Sequence, residues 1–151
     1  MQKVPNSDGT VERLATGDGA KLATKNSRGS LMTVRPGSWT ANHSPSAATQ
    51  ATTTKTAAAG TYHVCTSITA TIACDSTVQT PIRVYLRNGA TGAGTIMWSA
   101  AVAAPANGIG GVAFSDLNIV GSVNTAMTLE FSGAGVTGSL QDVTLGGYSA
   151  T

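Results

Sequence analysis

Between residues 61 and 74 the chain alternates. Tyr62, Val64, Ile68, Ala70, Ile72 and Cys74 share one parity, interrupted only by Thr66, while His63, Cys65, Ser67, Thr69 and Thr71 share the other. A period of two with β-branched residues on both sides predicts a strand with one buried face. The run is long for one strand, so a bend or a change of sheet partway is expected. Shorter segments repeat the theme. Ile82, Val84 and Leu86 point inward against Arg83, Tyr85 and Arg87; Ile96, Trp98, Ala100 and Val102 share a parity; Met127, Leu129 and Phe131 alternate with Thr128 and Glu130; Val143 and Leu145 are the inward positions near the end. Val112 and Phe114 lie on one parity and Leu117 and Ile119 on the other, which predicts a bulge or turn at Ser115-Asp116.

Turn chemistry separates these runs: Asp75-Ser76-Thr77, Asn88-Gly89 followed by Gly92 and Gly94, Asn107-Gly108, and the glycines of residues 133–138. Residues 50–56 are rich enough in threonine for a first strand. Seven or eight strands at regular spacing, with no helical period, predict an all-β fold: an antiparallel β-sandwich, jelly-roll-like.

Residues 1–40 show no such order. Pro5, Asp8-Gly9, Gly17-Asp18-Gly19, Gly29 and Pro36-Gly37 punctuate them, and only Leu31-Met32-Thr33-Val34-Arg35 suggests a strand. A short echo is present in Leu14-Ala15-Thr16 and Leu22-Ala23-Thr24. So long a stretch without elements does not belong inside a compact domain. Its spaced apolar residues are too many for an ordinary disordered tail, so it reads as an extended N-terminal arm that orders on a partner. The organisation is then residues 1–40 as arm, 41–49 as a Ser/Ala/Thr-rich linker and 50–151 as the β-sandwich domain. The partner-binding positions are the arm's apolar and basic residues: Val11, Arg13, Leu14, Lys21, Leu22, Lys25, Arg28, Leu31, Met32, Arg35 and Trp39.

Charge sharpens that division. The net charge of +2 is the sum of a +3 segment (residues 1–40, six cations against three anions) and a −1 segment (three against four). A mildly basic arm on a near-neutral body suits an acidic protein surface. The charge is too thin for a nucleic-acid domain. Nor does any run approach the ~20 apolar residues of a membrane helix. Met1-Gln2-Lys3-Val4-Pro5-Asn6 lacks the apolar run of a secretion signal. Cys65 and Cys74 lie nine residues apart on opposite parities, ~30 Å along an extended strand, and are expected as separate reduced thiols.

Catalytic patterns are lacking. There is no Gly-x-Ser-x-Gly elbow, no His-Glu-x-x-His, no Cys-x-x-Cys pair and no P-loop. Asp75, Asp116, Glu130 and Asp142 fall at turns or on outward parities and read as solvated. His63 and Cys65 share a face, but two ligands make no zinc site. Neither enzyme activity nor a cofactor nor a metal is expected.

Several runs resemble recurrent strands of small β-rich virion proteins of tailed bacteriophages. They are His63-Val64-Cys65-Thr66-Ser67-Ile68-Thr69-Ala70-Thr71-Ile72-Ala73, Pro81-Ile82-Arg83-Val84-Tyr85-Leu86-Arg87-Asn88-Gly89, Leu117-Asn118-Ile119-Val120-Gly121-Ser122 and Asn124-Thr125-Ala126-Met127-Thr128-Leu129-Glu130-Phe131-Ser132. The resemblance covers about residues 60–150 and its motifs are structural. It implies a virion structural protein, most closely a head decoration (cement) protein. Such proteins are often homotrimeric jelly rolls whose N-terminal arm reaches onto the major capsid protein or other virion proteins. The expected location is therefore the virion, assembled in the host cytoplasm. The alternative is a tail, fibre or host-receptor module whose loops bind a glycan.

Overall fold

The computed structural model describes residues 37–151, together with the strand backbones of β1 (Glu12–Leu14), β2 (Lys21–Lys25) and β3 (Leu31–Thr33). The chain divides into two compact units, Met1–Ser38 and Trp39–Thr151.

In the first unit β1, β2 and β3 form an antiparallel sheet in that order. Leu14 stands opposite Lys21, Arg13 opposite Leu22, Thr24 opposite Met32 and Lys25 opposite Leu31. The sequence predicts one strand here, and three are present. Strands of three to five residues contain too few alternations for their period to stand out, and turn residues crowd between them. The Leu-Ala-Thr echo was the available signal: its first copy begins at the end of β1 and its second lies within β2.

The second unit is an all-β antiparallel sandwich. Its strands are β4 (Ser38–His43), β5 (Thr52–Lys55), β6 (Tyr62–Ala73), β7 (Gln79–Asn88), β8 (Thr95–Ala104), β9 (Ile109–Phe114), β10 (Ile119–Val120), β11 (Met127–Phe131) and β12 (Leu140–Ala150). One sheet has the order β10-β6-β12-β4, with β9 on the same edge of β6 as β10; the other has the order β5-β11-β7-β8. Of the residues expected to link arm and domain, 41–43 belong to β4. The following loop is tied down by the Ala48 N–H donating to the Ser139 carbonyl at 2.8 Å, with Ala48 at φ 54°.

The long strand neither bends out of its sheet nor changes partner sheet. β12 pairs with it from Tyr62 to Ala73, and β9 and β10 share its other edge. It does carry a bulge. Ser67 pairs with Gly146 and Cys65 with Gly147, so Thr66 is the extra residue. One extra residue inverts the alternation. Ile68, Ala70, Ile72 and Cys74 face the core as expected; before the bulge Cys65 joins the core cluster and His63 is buried, while Val64 is buried as expected but outside that cluster and Tyr62 is half-buried. Both cysteines therefore join one core, and both are free.

Most of the remaining core follows the predicted parities: Val84, Leu86, Val102, Met127, Leu129, Phe131, Val143 and Leu145 are all buried. Each large apolar side chain so placed contributes roughly 1.5–3 kcal/mol of transfer free energy. Ile96 departs from them, 45 % exposed, because the register shifts where Leu86 pairs with Trp98 and Arg87 with Ile96. β11 lies between β5 and β7 and is buried on both faces: Met127, Leu129 and Phe131 within, Thr128 and Glu130 without. Glu130 is thus not a solvated strand position, whereas Asp75, Asp116 and Asp142 are exposed as expected.

Alternating strand directions sort the loops into two sets. Residues 56–61, 89–94 and 121–126 lie at the end where β4 begins and β12 finishes. Residues 44–51, 74–78, 105–108 and 132–139 lie at the other. Cross-loop bonds confirm the sets: Gly89 N–H to the Ala126 carbonyl and Asn124 N–H to the Thr61 carbonyl, both 2.8 Å, at the first end, and Cys74 N–H to the Gly108 carbonyl, 2.9 Å, at the second.

Candidate functional site

The residues predicted to contact a partner divide by position. Val11, Arg28 and Arg35 lie outside the described residues. Arg13 and Leu14 are in β1, Lys21, Leu22 and Lys25 in β2, and Leu31 and Met32 in β3. The sheet brings seven of the eleven together, and its register sets a basic residue opposite an apolar one three times: Arg13 and Leu22, Lys21 and Leu14, Lys25 and Leu31.

Trp39 is no part of that set. It lies in β4, half-buried, and packs against the sandwich core. Its Nε1–H donates to Ser149 Oγ at 3.1 Å, its ring meets the His63 imidazole edge-on at 5.8 Å, and Lys55 Nζ sits 5.7 Å from its centroid. The indole reaches β12 because Gly147 has no side chain; a Cβ there would come within 2.8 Å of the ring. The expected arm anchor is a part of the domain's own packing.

Two polar clusters sit in the sandwich, and the sequence disclosed neither. In the first, His63 is buried with both ring nitrogens engaged. Nε2 is 2.9 Å from the Thr56 carbonyl and Nδ1 is 2.9 Å from Ser149 Oγ. A carbonyl only accepts, so Nε2 carries a proton; in the neutral imidazole Nδ1 then accepts from the Ser149 hydroxyl, and Ser149 accepts from Trp39. This directed chain joins β4, β12 and β6 of one sheet to the segment following β5 of the other. The serine, histidine and indole thus form a polar staple between the two sheets.

In the second, Glu130 is 1 % exposed. Arg87 Nε donates to its Oε1 at 2.5 Å, and the Gly92 N–H donates to Oε2 at 3.0 Å and Oε1 at 3.2 Å. The guanidinium also lies 5.0 Å from the Tyr85 ring centroid. Residues 89–94 turn back over the outer face of the sheet, which the left-handed φ of Gly92 (68°) and Gly94 (79°) permits. The signal in the sequence is a lone acid inside a strand, together with three glycines within six residues close to an arginine some forty positions away.

Around these clusters the chemistry is quiet. Among the described residues no three His, Cys, Asp or Glu side chains gather as metal ligands, and no buried polar side-chain atom is left without a partner. Burial pushes the Cys65 thiol up to about 11. Its neutral form is the one the fold favours. Its contribution to stability is therefore complete below the ordinary thiol range near 9 and is lost as pH rises through about 11. Urea titrations between those values should show falling stability for the native chain and a flatter profile for Cys65→Ala, after allowance for the cavity. Equal slopes would show that another group controls the loss.

Comparison of the chain with protein-family models, with curated proteins and with solved structures finds no match.

Proposed function

We propose that this is a non-enzymatic bacteriophage virion structural protein, a decoration subunit that binds the assembled head through its N-terminal unit and stabilises it. The observation that carries this reading is the division of the chain. A basic N-terminal unit, Met1–Ser38, precedes a sandwich whose buried polar groups are spent on holding the sandwich together. The strand order supports the jelly-roll version of the fold. β4-β12-β6-β9/β10 against β5-β11-β7-β8 is the order produced when eight strands alternate between two sheets as paired Greek keys. Shell proteins commonly use that architecture.

The mechanism is mechanical. The sandwich covers a junction between shell subunits, and the N-terminal unit contacts their acidic surface through the basic residues among Arg13, Lys21, Lys25, Arg28 and Arg35. Apolar surface removed from water there contributes about 25 cal/mol per Å². Many copies on one lattice add avidity. The natural assembly for such a subunit is a homotrimer.

The test is co-sedimentation with particles that lack the protein. Full-length chain should bind, less strongly as salt rises and screens the charges. Residues 39–151 alone should remain folded and stay in the supernatant. Equal binding by the truncated chain would remove the basis of the proposal. A copy number of a few to dozens per particle, in place of hundreds, would move the protein to the tail.

A further inference from the structure

We propose that residues 89–94 form a strap that opens as a unit while the sandwich stays folded, hinged at Gly89 and Gly94 and latched by the buried Glu130 carboxylate. The strap reads Gly-Ala-Thr-Gly-Ala-Gly. It has no apolar group larger than a methyl, and residues 90–94 are exposed. Hydrophobic burial therefore does not hold it down, and polar contacts must.

Those contacts are unequally placed. At the base, the Gly89 N–H donates to the Ala126 carbonyl at 2.8 Å and Thr128 Oγ1 donates to the Gly89 carbonyl at 2.7 Å, fixing one hinge to β11 and the loop before it. The neck is narrow: a Cβ on Gly89 would lie 2.9 Å from the Gly94 Cα, and one on Gly94 would overlap the Asn88 carbonyl. Both hinges sit at positive φ, 143° and 79°, where a side chain is strained. Over the span, the Thr91 and Thr52 hydroxyls meet at 3.0 Å and Arg87 Nη1 is a long 3.4 Å from the Gly94 carbonyl. Of the two contacts that involve a charge, the Gly92 N–H on Glu130, at 3.0 Å, is much the shorter, and bonds of that kind are roughly twice as strong as neutral ones. The Glu130 carboxylate thus makes the strongest of the three contacts that hold the strap's span down.

Closing also decides what the outer face presents. Thr52, Glu130, Tyr85 and Ser99 are aligned across β5, β11, β7 and β8. With the strap down, the acid is covered and its partner Arg87 is neutralised. With the strap up, water and any ligand reach a carboxylate, a guanidinium and a phenol ring on one strip. The strap therefore gates a charge.

Amide hydrogen exchange on the full-length chain tests this. In the native protein the Gly92 amide should exchange through an opening nearly independent of denaturant, while the Leu86 and Leu129 amides follow global unfolding. Glu130→Gln keeps the shape and an acceptor but removes the charge. Losing the Arg87 pair lowers global stability and so the protection of Leu86 and Leu129 as well; Gly92 protection should fall about tenfold or more beyond that shared loss, equivalent to roughly 1.4 kcal/mol. A Gly92 amide with the same denaturant dependence as Leu129 would overturn the strap. A Glu130→Gln chain that loses protection equally everywhere would overturn the latch. If that variant does not fold, the native denaturant series decides alone.

Discussion

Leu129→Asp is expected to leave no folded sandwich. Leu129 is fully buried at the centre of β11, opposite Thr53 on β5 and Leu86 on β7. A carboxylate there enters a core cluster made only of apolar residues, Leu86, Met127 and Phe131 among them. Burying an unpaired charge costs several kcal/mol at least, and the lost leucine packing adds about 2–5 kcal/mol. Together these match the whole stability of a small domain, about 5–15 kcal/mol. Circular dichroism through a thermal scan reads the result. A soluble variant with the native midpoint would mean that Leu129 does not face the core.

Arg87→Met should be the costliest change outside the core. It leaves Glu130 buried with only the Gly92 N–H for compensation. Removing one partner of a buried ion pair costs about 3–5 kcal/mol. The arginine side chain keeps 15 % exposure against 2 % for the glutamate, so the lower end, about 3 kcal/mol, applies. The double variant Arg87→Met with Glu130→Gln should regain more than half of that loss, because the stranded charge is gone. Urea unfolding of the two single variants, the double variant and the native chain closes the cycle. Additive losses would show that the two side chains do not act on one another.

How far the sequence disclosed this molecule depended on whether the cause of each feature was local. The inward sets Val84 and Leu86, Met127 to Phe131, and Val143 and Leu145 follow from alternation alone, and all are buried. The same rule carries one parity across Thr66 and so misses Cys65 and His63, which are buried before the bulge; Val64 is buried as well, but outside the core cluster. That polar interruption was itself the mark of the bulge. Glu130 was assigned to the outer side of its strand correctly, but outward did not mean exposed. The cover comes from residues 89–94, some forty positions away in sequence, and no pattern around Glu130 announces it. Trp39 departs from expectation for the opposite reason. Pro36-Gly37 just before it marks the boundary, and the division falls after Ser38, two residues ahead of the expected one. The alternation of Trp39, Ala41 and His43 belonged to the strand that follows. The staple of Trp39, Ser149 and His63 joins residues 110 and 86 positions apart, a separation at which sequence pattern is silent.

The neighbouring placement of β4 and β12 has a mechanical side. Trp39, near the start of β4, meets Gly147 and Ser149, near the end of β12. Antiparallel ladders carry their hydrogen bonds perpendicular to the strands. A pull entering through Ser38 and leaving through Thr151 would therefore peel the two strands apart from their shared end, one bond pair after another, at low force. A pull that leaves instead through a loop at the far end runs along β4 and loads its bonds in parallel, as a lap joint rather than a zip. The direction in which tension crosses the sandwich, more than the number of its bonds, sets the force it can bear.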